Sequence, residues 1–149
     1  MIEINVDLSE LNDVAKRYDR IKVRPILHKY IEKSGIRITS IAKERYFGKS
    51  RWPLHEHLWV QTGRLRASIG NRSKEGIWRW KDYLTLEVGT KVVYGAIHEF
   101  GGIIRWKTKK GQAVIPRRPF LLPAIADFRS EEISIMIKQM EEEILRKLR

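Results

Sequence analysis

Between Pro25 and Tyr46 apolar side chains return at Ile26, Tyr30, Ile31, Ile38, Ile41, Ala42 and Tyr46, close to the 3.6-residue period of an α-helix. Proline fits a helix's first turn, so the spacing predicts one long helix over Pro25–Tyr46, weakened at its centre by Gly35 and the β-branched residues beside it. A helix of that length with an apolar stripe must lie across another layer. The rest of the chain offers one. "YLTLEVGT" alternates Leu84, Leu86 and Val88 against Thr85 and Glu87, the pattern of a half-buried strand, and "IWRW" before it reads as its hairpin partner, with Ile77 and Arg79 alternating against the tryptophans. "IIRWK" and "QAVIP" flank the basic turn "TKKG" as a second hairpin. From Ser130 onwards Ile133, Met136, Ile137, Met140, Ile144 and Leu148 form a second helical stripe, with early glutamates and late bases that suit the helix dipole. The expected fold is therefore α+β: an antiparallel sheet of hairpins packed against a long N-terminal-half helix, with a C-terminal helix over 130–149.

Smaller pieces fill the gaps. "INVDLSELNDVAKRY" reads as a strand and then a short helix, with Asp7 or Ser9 as N-cap. "FGKSRWPLHEHLW" is broken by Gly48 and Pro53 and reads as an ordered loop anchored by Trp52, Leu54, Leu58 and Trp59. "QTGRLRASI" places Thr62 at an N-cap and Leu65 and Ile69 four apart, a short helix with Arg64 and Arg66 pointing away from the buried side. The 149 residues suit one domain, which at this size buries roughly 68–70% of its unfolded surface.

Charge narrows the function classes. Thirty Lys and Arg against eighteen Asp and Glu leave a net charge of +12, which argues for an acidic partner or for work near nucleic acid. The excess is local: Arg105 to Arg118 holds six bases and no acid, whereas Glu131 to Arg149 holds five acids and four bases. The chain has no Cys, which excludes a disulfide framework and fits a reducing compartment or a virion assembled in one. The acidic start "MIEINVDLSELNDV" does not resemble a signal peptide, and no window approaches the ~18 apolar residues of a membrane span. A soluble intracellular product without a membrane partner is expected.

Candidate chemistry is sparse. "IHEFGG" sets His98 beside Glu99, but a zinc protease helix needs a second histidine four residues on, where Gly102 stands. His55 and His57 are spaced for one face of a strand, His28 stands alone, and no metal or other cofactor is expected. A hydrolase reading would rest on His98, Glu99 and neighbouring Ser or Thr, without a glycine-framed nucleophile or paired carboxylates. A nucleic-acid binder is the stronger rival, since tryptophans interleave with bases in "IWRWKDY" and "IIRWKTKKG", although no helix-turn-helix, zinc-finger or RNA-binding signature is visible.

Three pieces stand in fixed order: "TGRLRASI", "VGTKVVYGAIHEFGG" and "IPRRPFL". Together they resemble the phage virion morphogenesis family, the tail completion proteins of the phage Mu G type, and less closely the tail-terminator and neck proteins. The resemblance runs from about Phe47 to Leu122 within a single domain spanning 1–149. It implies a structural, non-enzymatic role: a subunit of a ring, six copies by the symmetry of the tail, that completes the upper tail end and helps join tail to head. The implied partners are further copies of itself, the tail tube and the head–tail connector, with genomic DNA passing through non-specific contacts. The implied location is the neck or upper tail of the virion, and host cytoplasm during assembly.

On that resemblance Arg64, Arg66, His98, Glu99, Pro119 and Phe120 are candidates for subunit or partner contacts, with Ile97 and Phe100 facing inward and Gly101 or Gly102 taking positive φ at the helix end. The plainer alternatives are solvated arginines on a short helix, polar residues at a turn, and Phe120 as a satellite of the core. Arg105, Lys107, Lys109 and Lys110 form a basic hairpin facing a lumen or an acidic neighbour, or else guard a sheet edge.

Overall fold

The computed structural model describes residues 2–5, 20–48, 58–59, 62–70, 73–105 and 111–148. Helix α1 spans Arg20–Arg45 and buries Val23, Ile26, Leu27, Tyr30, Ile31, Ile38, Ile41 and Ala42. Pro25 lies inside α1 and not at its first turn. The helix runs on upstream because Val23 is itself buried beside Met140 and Ile144, so tertiary packing outweighs the one backbone bond that proline cannot make.

The sheet is the predicted antiparallel one. Its order is β1 (Ile2–Asn5), β5 (Thr85–Thr90), β4 (Gly76–Asp82), with Ile4 opposite Val88 and Trp78 opposite Val88 on the other side. Ile31 of α1 packs against Leu86 and Val88, with Trp78, Trp80 and Leu84 at the margin. Gly35 sits where helix and sheet are closest: a Cβ there would come within 2.7 Å of Leu86 Cδ2 and 2.9 Å of Trp78 Cη2. The glycine that weakens the helix centre is therefore what lets α1 touch the sheet. Glu87 departs from the expected alternation. It faces away from α1, yet it is fully buried, because Arg79 and Lys81 fold over it as ion-pair partners.

The other side of α1 carries the C-terminal helices. A continuous helical run goes from Leu121 to Leu148: α4 (Leu121–Asp127), a π-turn (Phe128–Glu132) and α5 (Ile133–Leu148). It starts earlier than the stripe from Ser130 predicts, because Leu121, Ala124 and Phe128 are buried against Ile38, Ile41 and Ala42. Met140 and Ile144 pack on Val23, Ile26, Leu27 and Tyr30, so this stripe is covered within the chain. Ion pairs fasten the two antiparallel helices along their length: Lys29 to Glu143 at 2.7 Å, Arg37 to Glu132 at 2.7 Å, and Arg45 to Asp127 at 3.0 Å and Glu131 at 2.7 Å.

Short elements complete the fold. β2 (Phe47–Gly48) and β3 (Leu58–Trp59) pair in parallel, so the predicted loop is anchored by a strand pair; its Trp52 and Leu54, with His55 and His57, lie outside the described residues. Helix α2 is Arg64–Ser68, with Leu65 and then Ile69 buried as predicted. Its N-cap is Gly63 at φ 73°, not Thr62, whose hydroxyl accepts only a long 3.4 Å bond from Arg64 N–H. Helix α3 is Val93–Phe100, followed by the hairpin β6 (Gly102–Arg105) and β7 (Gln112–Ile115), with Ile103 opposite Val114. The helix expected between β1 and α1, and the hairpin tip with Lys107, Lys109 and Lys110, lie outside the described residues.

Candidate functional site

The three quoted motifs, spread over sixty residues of sequence, meet in one core. Leu65 and Ile69 of the first, Val92 of the second, and Phe120 and Leu121 of the third are buried together, with Tyr94 and Ala96 packed at the edge. Phe120 is fully buried and meets Phe47 edge-on at 5.2 Å between ring centroids. It is thus a core aromatic of its own chain, as in the plainer alternative, and not a surface candidate for subunit or partner contact. Pro119 beside it is half-buried.

The junction of α3 with α4 explains why "IHEFGG" and "IPRRPFL" occur together. A helix start leaves N–H groups without partners, normally met by a Ser, Thr, Asp or Asn at the N-cap. Here the N-cap is Phe120, which has no oxygen to offer. Glu99 takes over from α3: its Oε2 accepts from Phe120 N–H at 2.9 Å and Leu121 N–H at 3.1 Å, and its Oε1 from Leu122 N–H at 2.8 Å. A carboxylate at a helix N-terminus also suits the dipole. The reverse contacts close the other end. Arg118 N–H donates to the His98 carbonyl at 2.7 Å, Arg117 Nε to the Glu99 carbonyl at 3.2 Å, and Gly101 N–H to the Ile97 carbonyl at 2.7 Å. Two helix ends thereby satisfy each other. Gly101 has φ 76°, and a Cβ on it would lie 3.3 Å from Arg117 N, so the turn requires glycine at that position.

The clamp sets which way α3 is rotated. Val92, Gly95 and Glu99 are buried, three and four residues apart, and Phe100 is turned out, 60% exposed, contrary to the inward position expected for it. Ile97 is half-buried over Gly102. Glu99 is fully buried and spent within the chain, so it is not a surface contact residue.

His98 lies partly exposed beside this junction. Its ring meets Tyr94 edge-on at 6.1 Å, and burial first, then the Arg118 charge, hold its pKa below the usual imidazole value. A neutral imidazole at pH 7 follows. Arg64 lies within electrostatic reach of Tyr94 and is bound to Glu75, with Nε 2.9 Å from each carboxylate oxygen, a pairing that holds Glu75 below the ordinary carboxylate range. Glu75 is in turn tied to the strand edge, its carbonyl accepting from Lys91 N–H at 2.8 Å. Arg66 points elsewhere, donating to the Lys43 carbonyl at 3.2 Å. Burial, then Arg66, lowers the Lys43 pKa. The structure thus brings His98, Glu99, Pro119 and Phe120 together at one junction, while Arg64 is bound to Glu75 and Arg66 to the Lys43 carbonyl. Arg105 is exposed on β6 opposite Gln112.

Both Glu99 oxygens are occupied by backbone N–H groups, and Ser68 and Thr90 hold each other's hydroxyls at 2.6 Å in a buried position. Among the described residues no three His, Asp or Glu gather as a metal-binding group, and no helix is long and apolar enough to cross a membrane. Sequence reasoning missed Glu75 as the partner of Arg64 and the clamp formed by Glu99, Arg117 and Arg118. The visible signal for the clamp was a helix start, "RRPFLLPAIAD", without any capping residue of its own. Comparison with protein-family models, with curated proteins and with solved structures finds no match for this chain.

Proposed function

We propose that the protein is a virion assembly factor of the tail-completion type, a non-enzymatic subunit of a ring that finishes the upper end of a phage or prophage tail and helps it join the head. The observation that carries this reading is the convergence of the three motifs of the resemblance into a single core, with the second and third locked by the Glu99 clamp. Motifs that build one junction together are informative as a set in a way that none is alone. The uncompensated positive charge of the hairpin region is consistent with acidic neighbours at a neck, or with DNA passing through it. Inactivating the gene in the phage or prophage that carries it, with complementation in trans, tests the role. Heads and tails that accumulate unjoined, visible by electron microscopy, are expected; joined and infectious particles would overturn it.

A second reading, a basic nucleic-acid-binding protein, is favoured by the same charge segregation. It requires that duplex DNA bind with a log–log salt slope of about −0.9 per neutralised phosphate. Binding of that kind together with normal particle assembly in the knockout would replace the first reading by the second.

A further inference from the structure

Taking a cation out of water is costly unless an acid answers it. Along α1 and α2 most bases are answered: Lys29 by Glu143, Arg37 by Glu132, Arg45 by Asp127 and Glu131, and Arg64 by Glu75. Lys43 and Arg66 are the exception. Both are half-buried, one in the last turn of α1 and the other in α2, and neither has an acidic partner among the described residues. The acids on the adjoining stretches are already committed, Glu44 to Arg37 at 3.8 Å, Asp127 and Glu131 to Arg45, and Glu75 to Arg64.

Backbone holds the two cations together. Arg66 Nε donates to the Lys43 carbonyl at 3.2 Å, in the last turn of α1, where a cation suits the helix dipole. That bond uses one of the five guanidinium N–H donors and leaves the outer edge of the group free. It does nothing for Lys43, whose ammonium gains a second positive charge as neighbour; burial first, then that charge, lowers its pKa. Gly70, at φ 118°, walls the ammonium with backbone: a Cβ there would lie 3.3 Å from Lys43 Nζ and 4.0 Å from Thr39 Oγ1. The Thr39 hydroxyl spends its proton on the Ile36 carbonyl at 2.8 Å and adds no donor. What remains is an ammonium and a guanidinium edge, both partly open to solvent, with no counter-charge. Such a pair is the donor set of an oxyanion site.

We propose that Lys43 and Arg66 form a binding site for a phosphate dianion at the junction of α1 with α2. Two fixed positive charges match a phosphate monoester, which carries about −1.5 to −2 at pH 7. A carboxylate or a backbone phosphodiester, at about −1 each, neutralises only one of them. Arg66 supplies the planar fork that grips two phosphate oxygens, and Lys43 supplies a point charge for the third. The bound anion also removes the repulsion that the unliganded pair carries. Inorganic phosphate and the 5′ end of a nucleic acid strand present this same group. The site stands on its own geometry and not on the tail reading.

The test melts the full-length protein in about 10 mM phosphate and in chloride of equal ionic strength. Phosphate is expected to raise the melting temperature by about 2 °C or more over chloride, and Lys43→Met or Arg66→Gln to abolish that increment, whatever each does to the baseline. A second measurement needs no variant: limited acetylation of the native chain, read by peptide mass spectrometry. Phosphate is expected to slow acetylation of Lys43 severalfold and to leave the exposed Lys33 and Lys138 unchanged. The same two assays are repeated with an oligonucleotide bearing a 5′-phosphate and with its 5′-hydroxyl counterpart. Protection by the phosphorylated strand alone assigns a strand end as the source; protection by inorganic phosphate and by neither strand assigns the free ion. Equal protection by both strands overturns the dianion. No increment over chloride, an increment that survives Lys43→Met and Arg66→Gln, or acetylation of Lys43 that phosphate does not slow overturns the site.

Discussion

Replacing Glu99 should cost more stability than replacing any surface acid. In the native state its carboxylate accepts three backbone N–H groups, from Phe120, Leu121 and Leu122, at 2.8 to 3.1 Å, and it is fully buried. Glu99→Ala leaves these donors without an acceptor. Each orphaned buried donor costs about 1–3 kcal/mol, and Leu122 N–H, at the more exposed end, can recover a water. With the space left by the side chain, a loss of about 3–6 kcal/mol follows, a large part of the ~5–15 kcal/mol that holds a domain together. Glu99→Gln is the sharper probe because it keeps the volume. Its one carbonyl oxygen can serve Phe120 and Leu121, but its NH2 group then confronts Leu122 N–H, donor against donor, at a cost of about 1–3 kcal/mol.

The assay is urea unfolding followed by tryptophan fluorescence. With a slope of roughly 1–3 kcal/mol per molar, Glu99→Ala should lower the midpoint by about 2 M or leave the protein unfolded at the outset, and Glu99→Gln should lower it by about 1 M. Phe100→Ser, one residue away but 60% exposed, is the control and should move stability by no more than about 0.5 kcal/mol. A Glu99→Gln protein with the wild-type midpoint and slope would refute the clamp, as would a Phe100→Ser protein damaged as much as Glu99→Gln.

Two further predictions concern the frame that holds this junction. Hydrogen bonds from Arg45, Arg37 and Lys29 hold Glu131, Glu132 and Glu143 below the ordinary carboxylate range, so their contribution is present above the unfolded value of about 4.3 and is lost as pH falls through their lower folded values. The melting temperature should therefore drop as pH falls from about 5 to 3, and a combined Arg37→Gln, Arg45→Gln variant should show a shallower acid limb; an unchanged limb would refute this. Gly76→Ala should lower the melting temperature by several degrees, because a Cβ there would lie 2.6 Å from the Gly70 carbonyl oxygen and 2.8 Å from that of Ser68, and backbone cannot step aside as a side chain can. A wild-type melting temperature for that variant would count against so close an approach of β4 to the end of α2.

The elements with a period were legible because each buries a continuous face. α1, the β4–β5 hairpin and α5 all print that face into the sequence at 3.6 or 2 residues. The α3–α4 junction has no such imprint. α3 is two turns long and apolar nearly all round, with Val93, Tyr94, Ala96, Ile97 and Phe100, so its pattern cannot say which side turns in. What fixes the rotation is Gly95, small enough for close packing, and Glu99, the least apolar residue of all, drawn inward by N–H groups some twenty residues away. Hydropathy therefore chose Phe100 for the core and left Glu99 at the surface, the reverse of what the backbone's unmet donors require. The same logic reaches the outside of the molecule. Because Glu99 is withdrawn to cap a helix whose own N-cap is a phenylalanine, no acid of residues 91–118 stays at the surface among their seven bases. A structural need at the helix end thus leaves the exposed Lys91, Arg105 and Arg117 without any acid of residues 91–118 beside them at the surface.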